Sequence, residues 1–167
     1  MDFKLRQANR EEIDKILSLF KLAAEKIAKM NIDHWQYWTN PPTEKVNWVK
    51  EGLLNHEFFF IESFQDEIIG MVRIMDKDLL YWGEMNDKAK YVHSLVISEE
   101  FEGHKIGKKV LERIENEARE NNYSFLRLDC DSKNAKLCRY YENQGFLKVG
   151  EKTLPLSTYN LYQKQIS

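Results

Sequence analysis

The segment that most restricts the fold is residues 95–111, where a strand-like run, a short loop and a helical pattern follow one another without a gap. Residues 91–97 are rich in β-branched and aromatic side chains, which predicts a strand. A helix face then follows at Ile106, Val110, Leu111, Ile114 and Ala118. Gly103 and Gly107 lie in the turn between the two elements. Such a unit leaves the first N–H groups of the helix unpaired, where they can hold phosphate oxygens.

Hydrophobic periodicity and turn residues divide the whole chain into elements in the order β-α-α-β-β-β-α-β-α-β-β. The predicted strands are residues 3–8, 58–63, 68–75, 91–97, 125–128, 146–149 and 158–163. The predicted helices are residues 10–27 after an Asn9 cap, 43–53, 106–120 and 133–143. Hairpins come first and βαβ-like units follow. This order predicts an α+β class with a mixed, mostly antiparallel sheet of six to seven strands flanked by about four helices.

Composition restricts the size and the partners of the protein. At 167 residues with 43% hydrophobic side chains, the chain has the size of a single domain, residues 1–167, with a buried core. Its 25 basic and 27 acidic residues give a net charge of -2 without a basic cluster, so no nucleic-acid partner is expected. No apolar run is long enough to cross a bilayer, so no membrane partner is expected either.

The cysteines and histidines bear on compartment and metal binding. Cys130 and Cys138 form no disulfide framework, and the four histidines are scattered singly along the chain. No metal site is therefore predicted. Reduced thiols, together with a start that lacks the pattern of a secretion signal, predict a cytoplasmic location.

Residues 134–146 read as a helix that ends in a Gly-Phe pair and re-enters the sheet. Together with the loop at 102–107, this segment resembles the GNAT superfamily of N-acetyltransferases, and the resemblance covers nearly the whole chain. In that family an Arg/Gln-x-x-Gly-x-Gly/Ala loop binds coenzyme A pyrophosphate, and an Asn-x(6)-Tyr-Glu-x-x-Gly-Phe helix lies beside the pantetheine arm. The helix pattern matches at Asn134, Tyr141, Glu142, Gly145 and Phe146.

The loop pattern departs from the family at two positions. Glu102 stands where Arg or Gln is usual, and Lys105 replaces the first loop glycine. Most contacts of such a loop come from backbone N–H groups, so the changed side chains are expected to be tolerated. Lys105 can also offset the charge of Glu102.

The resemblance implies acetyl-CoA as co-substrate and a role for each matching position. The strand residues that would pair with pantetheine are Leu95, Val96 and Ile97. The loop residues that would bind the pyrophosphate are Glu102, Gly103, His104, Lys105, Ile106 and Gly107, together with Lys108. Asn134 would contact the cofactor arm, and Tyr141 would protonate the departing thiolate.

An acceptor amine arrives as ammonium with a pKa near ~10 and must lose a proton before it attacks. His93 is the preferred base, because it shares a strand face with Leu95 and its ordinary pKa suits a base near neutrality. A histidine at this offset resembles the aralkylamine acetyltransferases. Glu84, a water chain, or a merely structural His93 are the alternatives that remain open.

The acceptor is expected to meet the irregular segment between the first two helices. Aromatic rings and an acid there suit a hydrophobic or aromatic amine through stacking and cation–π contact. The candidate residues are Asp33, His34, Trp35 and Trp38, with Tyr91 from the strand at 91–97. The alternative is that Trp35 and Trp38 pin this loop to the core.

The predicted function is therefore transfer of an acetyl group from acetyl-CoA to a primary amine, of a small molecule or a peptide, by direct attack in a ternary complex. Acceptor identity and acyl-chain length are left open. The alternatives are an acyl-CoA sensor without turnover or a protein-interaction module on the same fold. The protein is expected to be a monomer or a homodimer, and residues 158–163 offer a strand that two copies can pair.

Overall fold

The computed structural model describes all 167 residues, Met1–Ser167. Its helices are α1 (Ile13–Lys29), α2 (Thr43–Leu54), α3 (Ile106–Glu120) and α4 (Ala135–Glu142). Its strands are β1 (Lys4–Gln7), β2 (Phe58–Glu62), β3 (Ile68–Met75), β4 (Ala89–Ile97), β5 (Phe125–Asp131), β6 (Leu147–Leu154) and β7 (Ser157–Gln165). The order of strands and helices is the predicted one. Three short 3-10 turns were not predicted: Arg10–Glu12, Gln36–Thr39 and Glu99–Phe101.

The seven strands form one sheet in the order β1-β2-β3-β4-β5-β7-β6. The β4–β5 pair is parallel, whereas the β1–β2, β2–β3, β5–β7 and β6–β7 pairs are antiparallel. The predicted α+β class with a mixed, mostly antiparallel sheet and four helices is therefore confirmed. β7 lies between β5 and β6, so neither of its edges is open for pairing with a second copy, and the expected monomer or homodimer stays a prediction. None of the helices is both long enough and apolar enough to cross a membrane.

The chain divides into two compact units, and the expectation of one domain over residues 1–167 stays a prediction. Unit 1 contains residues 1–73 and 94–107, and unit 2 contains residues 74–93 and 108–167. In unit 1 the apolar stripe of α1 packs with residues of α2, β2 and the 3-10 turn before α2. The core of this unit includes Ile16, Phe20, Trp38, Val49, Phe58 and Phe60.

The core of unit 2 draws on α3, β5, α4 and β7. The α3 stripe is buried as its spacing predicts, at Val110, Leu111, Ile114 and Ala118. Buried side chains from the other elements of the unit are Leu126, Leu128, Cys130, Cys138 and Tyr162. Both cysteines are buried free thiols.

Candidate functional site

The loop between β4 and α3 has the backbone that an anion-binding turn needs. Gly103 and Lys105 both adopt left-handed φ angles, of 83° and 57°, and α3 begins at Ile106. The first N–H groups of α3 have no acceptor within the helix and can bind an oxyanion. Lys105 takes a conformation that glycine adopts without strain, so the loop keeps this shape although the glycine is replaced.

Glu102, the acidic residue at the start of this loop, forms an ion pair with Lys26 of α1. The Glu102 side chain is 44% exposed and that of Lys26 is 33% exposed, so both charges stay near water. Lys26 offsets the negative charge that Glu102 brings to a loop expected to meet phosphates. The departure at Glu102 is thus compensated by a residue of the same unit.

The carboxyl end of β4 is held close to β3. Val96 is buried, and Leu95 and Ile97 are half-buried. A Cβ atom on Gly70 of β3 would stand only 2.0 Å from the Val96 carbonyl oxygen, so glycine is what lets the two backbones approach. Ser94 has a left-handed φ of 56°, which interrupts the regular strand just before these residues.

His93 lies where the parallel ladder between β4 and β5 ends. The last residue pair of that ladder is Val92–Leu128, and His93 and Asp129 follow it on the two strands. The loop between β3 and β4 contributes Asp78, whose Oδ2 atom lies 2.5 Å from His93 Nε2 in a hydrogen bond. Asp129 Oδ2 lies 3.4 Å from the same nitrogen. One imidazole nitrogen therefore faces two carboxylates.

This cluster of Asp78, His93 and Asp129 is almost closed to water, with side-chain exposures of 3%, 11% and 9%. Asp129 Oδ2 has no hydrogen-bond partner. Burial raises the pKa of Asp129 to about 6, while the His93 charge lowers this pKa and the Asp78 charge raises it. A carboxyl group with this pKa can exchange a proton near neutral pH.

The same three side chains bring ligand-type atoms within 4.8 Å of one another. Two donor atoms of one tetrahedral zinc ion, with bonds near ~2.0 Å, stand about 3.3 Å apart. The 2.5 Å between His93 Nε2 and Asp78 Oδ2 is shorter and fits a shared proton. The expectation that the protein uses no metal stays a prediction.

The sequence did not indicate either aspartate as a site residue. Asp78 lies in a loop without a motif. Asp129 belongs to the alternation Arg127, Asp129, Asp131, which reads as the solvent face of a strand. The one hint in the sequence was that three charged residues lie on one face of a strand whose other face is apolar.

Two predicted site residues belong to α4 and its cap. Asn134 precedes the helix, and its Oδ1 atom accepts a hydrogen bond from Leu137 N at 3.1 Å. The Tyr141 ring packs against Phe146 and Tyr162, at ring-centroid distances of 5.9 Å and 6.3 Å. Burial raises the pKa of Tyr141 above its ordinary value, so its phenol is protonated at neutral pH. That is the form in which a general acid acts.

The predicted acceptor segment divides between surface and core. Asp33 is 95% exposed, whereas His34 is 17% exposed. Trp35 is half-buried and meets the Phe20 ring edge-on at 5.6 Å. Trp38 is 4% exposed and stacks on Phe20 at 3.9 Å. Trp38 is therefore a core residue of unit 1, and a ligand at this segment would meet Asp33, His34 and Trp35.

Tyr91 and Glu84 line a cavity of about 310 Å³ in unit 2. Tyr91 is 2% exposed, and its hydroxyl accepts a hydrogen bond from Arg127 Nη1 at 2.8 Å. Arg127 is buried too and donates to Asp87 Oδ2 at 2.7 Å. The Tyr91 hydroxyl thus belongs to the hydrogen-bond network of the buried Arg127. Glu84 is exposed, unlike His93, which is enclosed by carboxylates.

Comparisons with known proteins identify the family and the fold of the chain. A sequence profile described as Acetyltransferase (GNAT) family matches residues 26–146. An uncharacterized N-acetyltransferase of Bacillus subtilis (strain 168), YesJ, is 25% identical over 121 residues, which cover 70% of this chain and 66% of the relative. The chain thus spans just under two thirds of that relative's length.

Solved structures of the same fold extend over nearly the whole chain. A GNAT-family acetyltransferase from Listeria monocytogenes 4b F2365 is 25% identical with a TM-score of 0.80, covering 98% of this chain and 94% of that one. The PaiA N-acetyltransferase of Thermoplasma acidophilum, solved with coenzyme A, is 14% identical with a TM-score of 0.63 and 99% coverage of both chains. The chain belongs to the Acetyltransferase (GNAT) family of acyltransferase enzymes, and the resemblance stated from its motifs is confirmed.

Proposed function

We propose that this chain transfers an acetyl group from acetyl-CoA to a primary amine, of a small molecule or a peptide, by direct attack in a ternary complex. The observation that carries the proposal is that unit 2 contains both a candidate general acid and a candidate general base. Tyr141 is a protonated phenol, and His93 is a histidine held by carboxylates. Acyl transfer to an amine needs one group that takes protons from nitrogen and another that gives a proton to sulfur.

The donor would be bound by two segments of unit 1 together with the start of α3. The loop from Glu102 to Gly107, with Lys108, would hold the pyrophosphate through N–H groups and lysine charge. The backbone of Leu95, Val96 and Ile97 would pair with pantetheine, and Asn134 would contact the same arm. Family membership and the coenzyme A bound to a protein of the same fold support this donor.

The chemistry uses two protein groups in sequence. The acceptor arrives as ammonium, with a pKa near ~10, and gives a proton to His93. The neutral nitrogen then attacks the thioester carbonyl carbon, so that a C–N bond forms and the C–S bond breaks. Tyr141 donates its proton to the departing sulfur as negative charge develops there.

The acceptor would be recognised by the exposed part of the segment before α2. Asp33 can pair with a second positive charge, and the half-buried Trp35 offers an aromatic face for stacking or cation–π contact. His34 lies between them in the chain. These features favour a hydrophobic or aromatic amine. The proposal also includes a single domain and a cytoplasmic location, in line with the free thiols of Cys130 and Cys138.

Calorimetric titration with acetyl-CoA, followed by a free-thiol assay across a panel of amines and peptides, tests this function. We expect binding, and thiol release that depends on one class of amine. Binding without release from any acceptor would favour an acyl-CoA sensor. No binding at all would mean that the loop with Glu102 and Lys105 does not hold the donor, and the proposal would be wrong.

A further inference from the structure

The cluster around His93 contains a buried carboxylate oxygen, Asp129 Oδ2, that no hydrogen bond of the fold uses. Asp78 is bonded to His93 Nε2, but Asp129 Oδ2 is buried without a hydrogen-bond partner, 3.4 Å from the same nitrogen. Burying a carboxylate without a partner costs free energy, so an unsatisfied group of this kind calls for an explanation. Asp129 also follows the last pair of the β4–β5 ladder, beside the residue proposed as the base.

We propose that Asp78 and Asp129 are positioning residues for His93, and that the three side chains together hold the proton that leaves the acceptor amine. The inference rests on the proposed acetyl transfer. It specifies an acceptor that arrives as an ammonium ion and must be deprotonated by the protein.

Asp78 and Asp129 act on His93 in different ways because their oxygens lie at different distances from Nε2, 2.5 Å and 3.4 Å. An ionised Asp78 only accepts hydrogen bonds, so its contact with Nε2 keeps a proton on that nitrogen and fixes the orientation of the ring. Asp129 is too far for a good hydrogen bond and acts through its charge. When His93 takes a proton from the amine, the ionised Asp129 stabilises the positive ring in an environment with little water to screen it.

The protons balance over one turnover. The ammonium gives its first proton to the cluster, and the nitrogen attacks the thioester carbon. The new C–N bond leaves a second excess proton on nitrogen, while the departing sulfur takes the proton of Tyr141. The nitrogen proton restores the phenol, and the cluster releases its proton to solvent. One ammonium and one thioester thus become one amide, one thiol and one proton.

Other titratable groups surround the cluster on several elements. Tyr81 of the β3–β4 loop lies with its ring centroid 5.0 Å from that of His93, and Tyr159 of β7 meets Tyr81 edge-on at 5.2 Å. Burial raises the pKa of Tyr159 and of Tyr141 on α4, so both phenols are neutral through the neutral range. Asp131 and Cys130 lie on β5 next to Asp129, and burial raises the pKa of the Cys130 thiol.

The test measures kcat/KM for the acceptor amine from about pH 6 to pH 10 in Asp129→Asn and Asp78→Asn. We expect each variant to lose about 100-fold at pH 7. The deficit should shrink to within about threefold near pH 10, where about half of an amine with a pKa near ~10 no longer has a proton to remove. Asp131→Asn is the matched control, because Asp131 is a buried carboxylate on the same strand, and its profile should follow the wild type.

Three outcomes would overturn the inference. A deficit that is the same at every pH would indicate a structural role, and unchanged rates would indicate no role. Activity that is lost with EDTA and regained with Zn²⁺, only when all three side chains are present, would make them ligands instead. Failure of the proposed function is distinguishable, because the wild-type protein would then release no thiol with any amine. Circular dichroism of each variant checks that it is folded. If Asp129→Asn does not fold, the pH profile of Asp78→Asn alone decides the test.

Discussion

Lys26 of α1 and Glu102, the first residue of the loop before α3, form an ion pair within unit 1. The pair lies beside a helix N-terminus that is proposed to bind pyrophosphate. Glu102 stands at the position of Arg or Gln in the loop motif that the chain resembles, and its negative charge has the wrong sign for a phosphate neighbour. Lys26 is the residue that makes this charge acceptable, although nothing in the loop motif involves α1.

Lys26→Ala should raise KM for acetyl-CoA about fivefold and leave kcat nearly unchanged, because it exposes bound phosphates to an unpaired carboxylate. Raising the salt concentration should reduce the difference. Lys29→Ala removes an exposed lysine from the same helix and should change neither constant. The double exchange Lys26→Glu with Glu102→Lys should recover most of the loss. A fall in kcat without a change in KM would contradict the ion pair's role in donor binding.

Tyr141→Phe should lower kcat about 100-fold while acetyl-CoA binding and the fold persist, because only the proton for the thiolate is removed. Since burial raises the pKa of Tyr141, the wild-type phenol should keep its proton through the alkaline range, and kcat should show no loss attributable to it there. Tyr140→Phe is the matched control, being the neighbouring tyrosine with 38% exposure. Equal activity of Tyr141→Phe and wild type would exclude Tyr141 as the acid.

Asp129→Asn should make the protein more stable at neutral pH although it makes the enzyme slower. The folded-state pKa of Asp129, about 6, lies above its ordinary value of 3.8. The protonated form is therefore favoured by folding, and this contribution is fully present below about pH 4 and lost as the pH rises through 6. Asn has no such loss, so the free energy of unfolding of the variant should exceed that of wild type by about 3 kcal/mol above pH 7.

Urea unfolding of the two proteins between about pH 4 and pH 8 measures this difference. The free energies of unfolding should diverge between about pH 4 and pH 6, the unfolded and folded pKa values of Asp129, and should run parallel above that range. A difference that does not vary with pH would show that Asp129 is not held at a raised pKa.

Gly70→Ala should destabilise unit 1 by about 3 kcal/mol, because its Cβ would meet the Val96 carbonyl oxygen, a backbone atom that cannot turn aside. The same shift would displace the strand that is proposed to pair with pantetheine, so KM for acetyl-CoA should rise as well. Gly83→Ala is the control: its φ is 70° but nothing lies within 4 Å of the added atom. That variant should lose only about 1 kcal/mol and bind acetyl-CoA normally.

Most of the fold could be predicted because each element carries its own pattern. The α3 stripe from Val110 to Ala118 and the cap of α1 are local features, and Asn9 N indeed donates to Glu12 Oε1 at 3.2 Å. The first turn of that helix is nevertheless 3-10, and α1 itself begins at Ile13. Glu12 of this 3-10 turn also accepts two hydrogen bonds from Arg6 of β1, a partner outside the helix that a helical pattern does not reveal.

The site could be predicted only as far as its motifs reach. Tyr141 and His93 follow from a helix signature and from strand alternation. Asp78 and Asp129 come to His93 through the register of β4 on β5 and the path of a loop, and neither is written in local sequence. Trp38 shows the opposite kind of error, because it was predicted as a binding residue and stacks on Phe20 instead. An aromatic residue in a loop has the same sequence pattern in both situations.

The position of β6 at the edge of the sheet has a consequence for self-association. β6 borders β7 alone, so its other edge presents unpaired backbone N–H and C=O groups. The strand also bears Leu147 and Val149, which are 71% and 51% exposed. An exposed apolar edge strand can pair with another chain. Lys148, Glu151 and Lys152 are the charges on β6 that oppose such pairing.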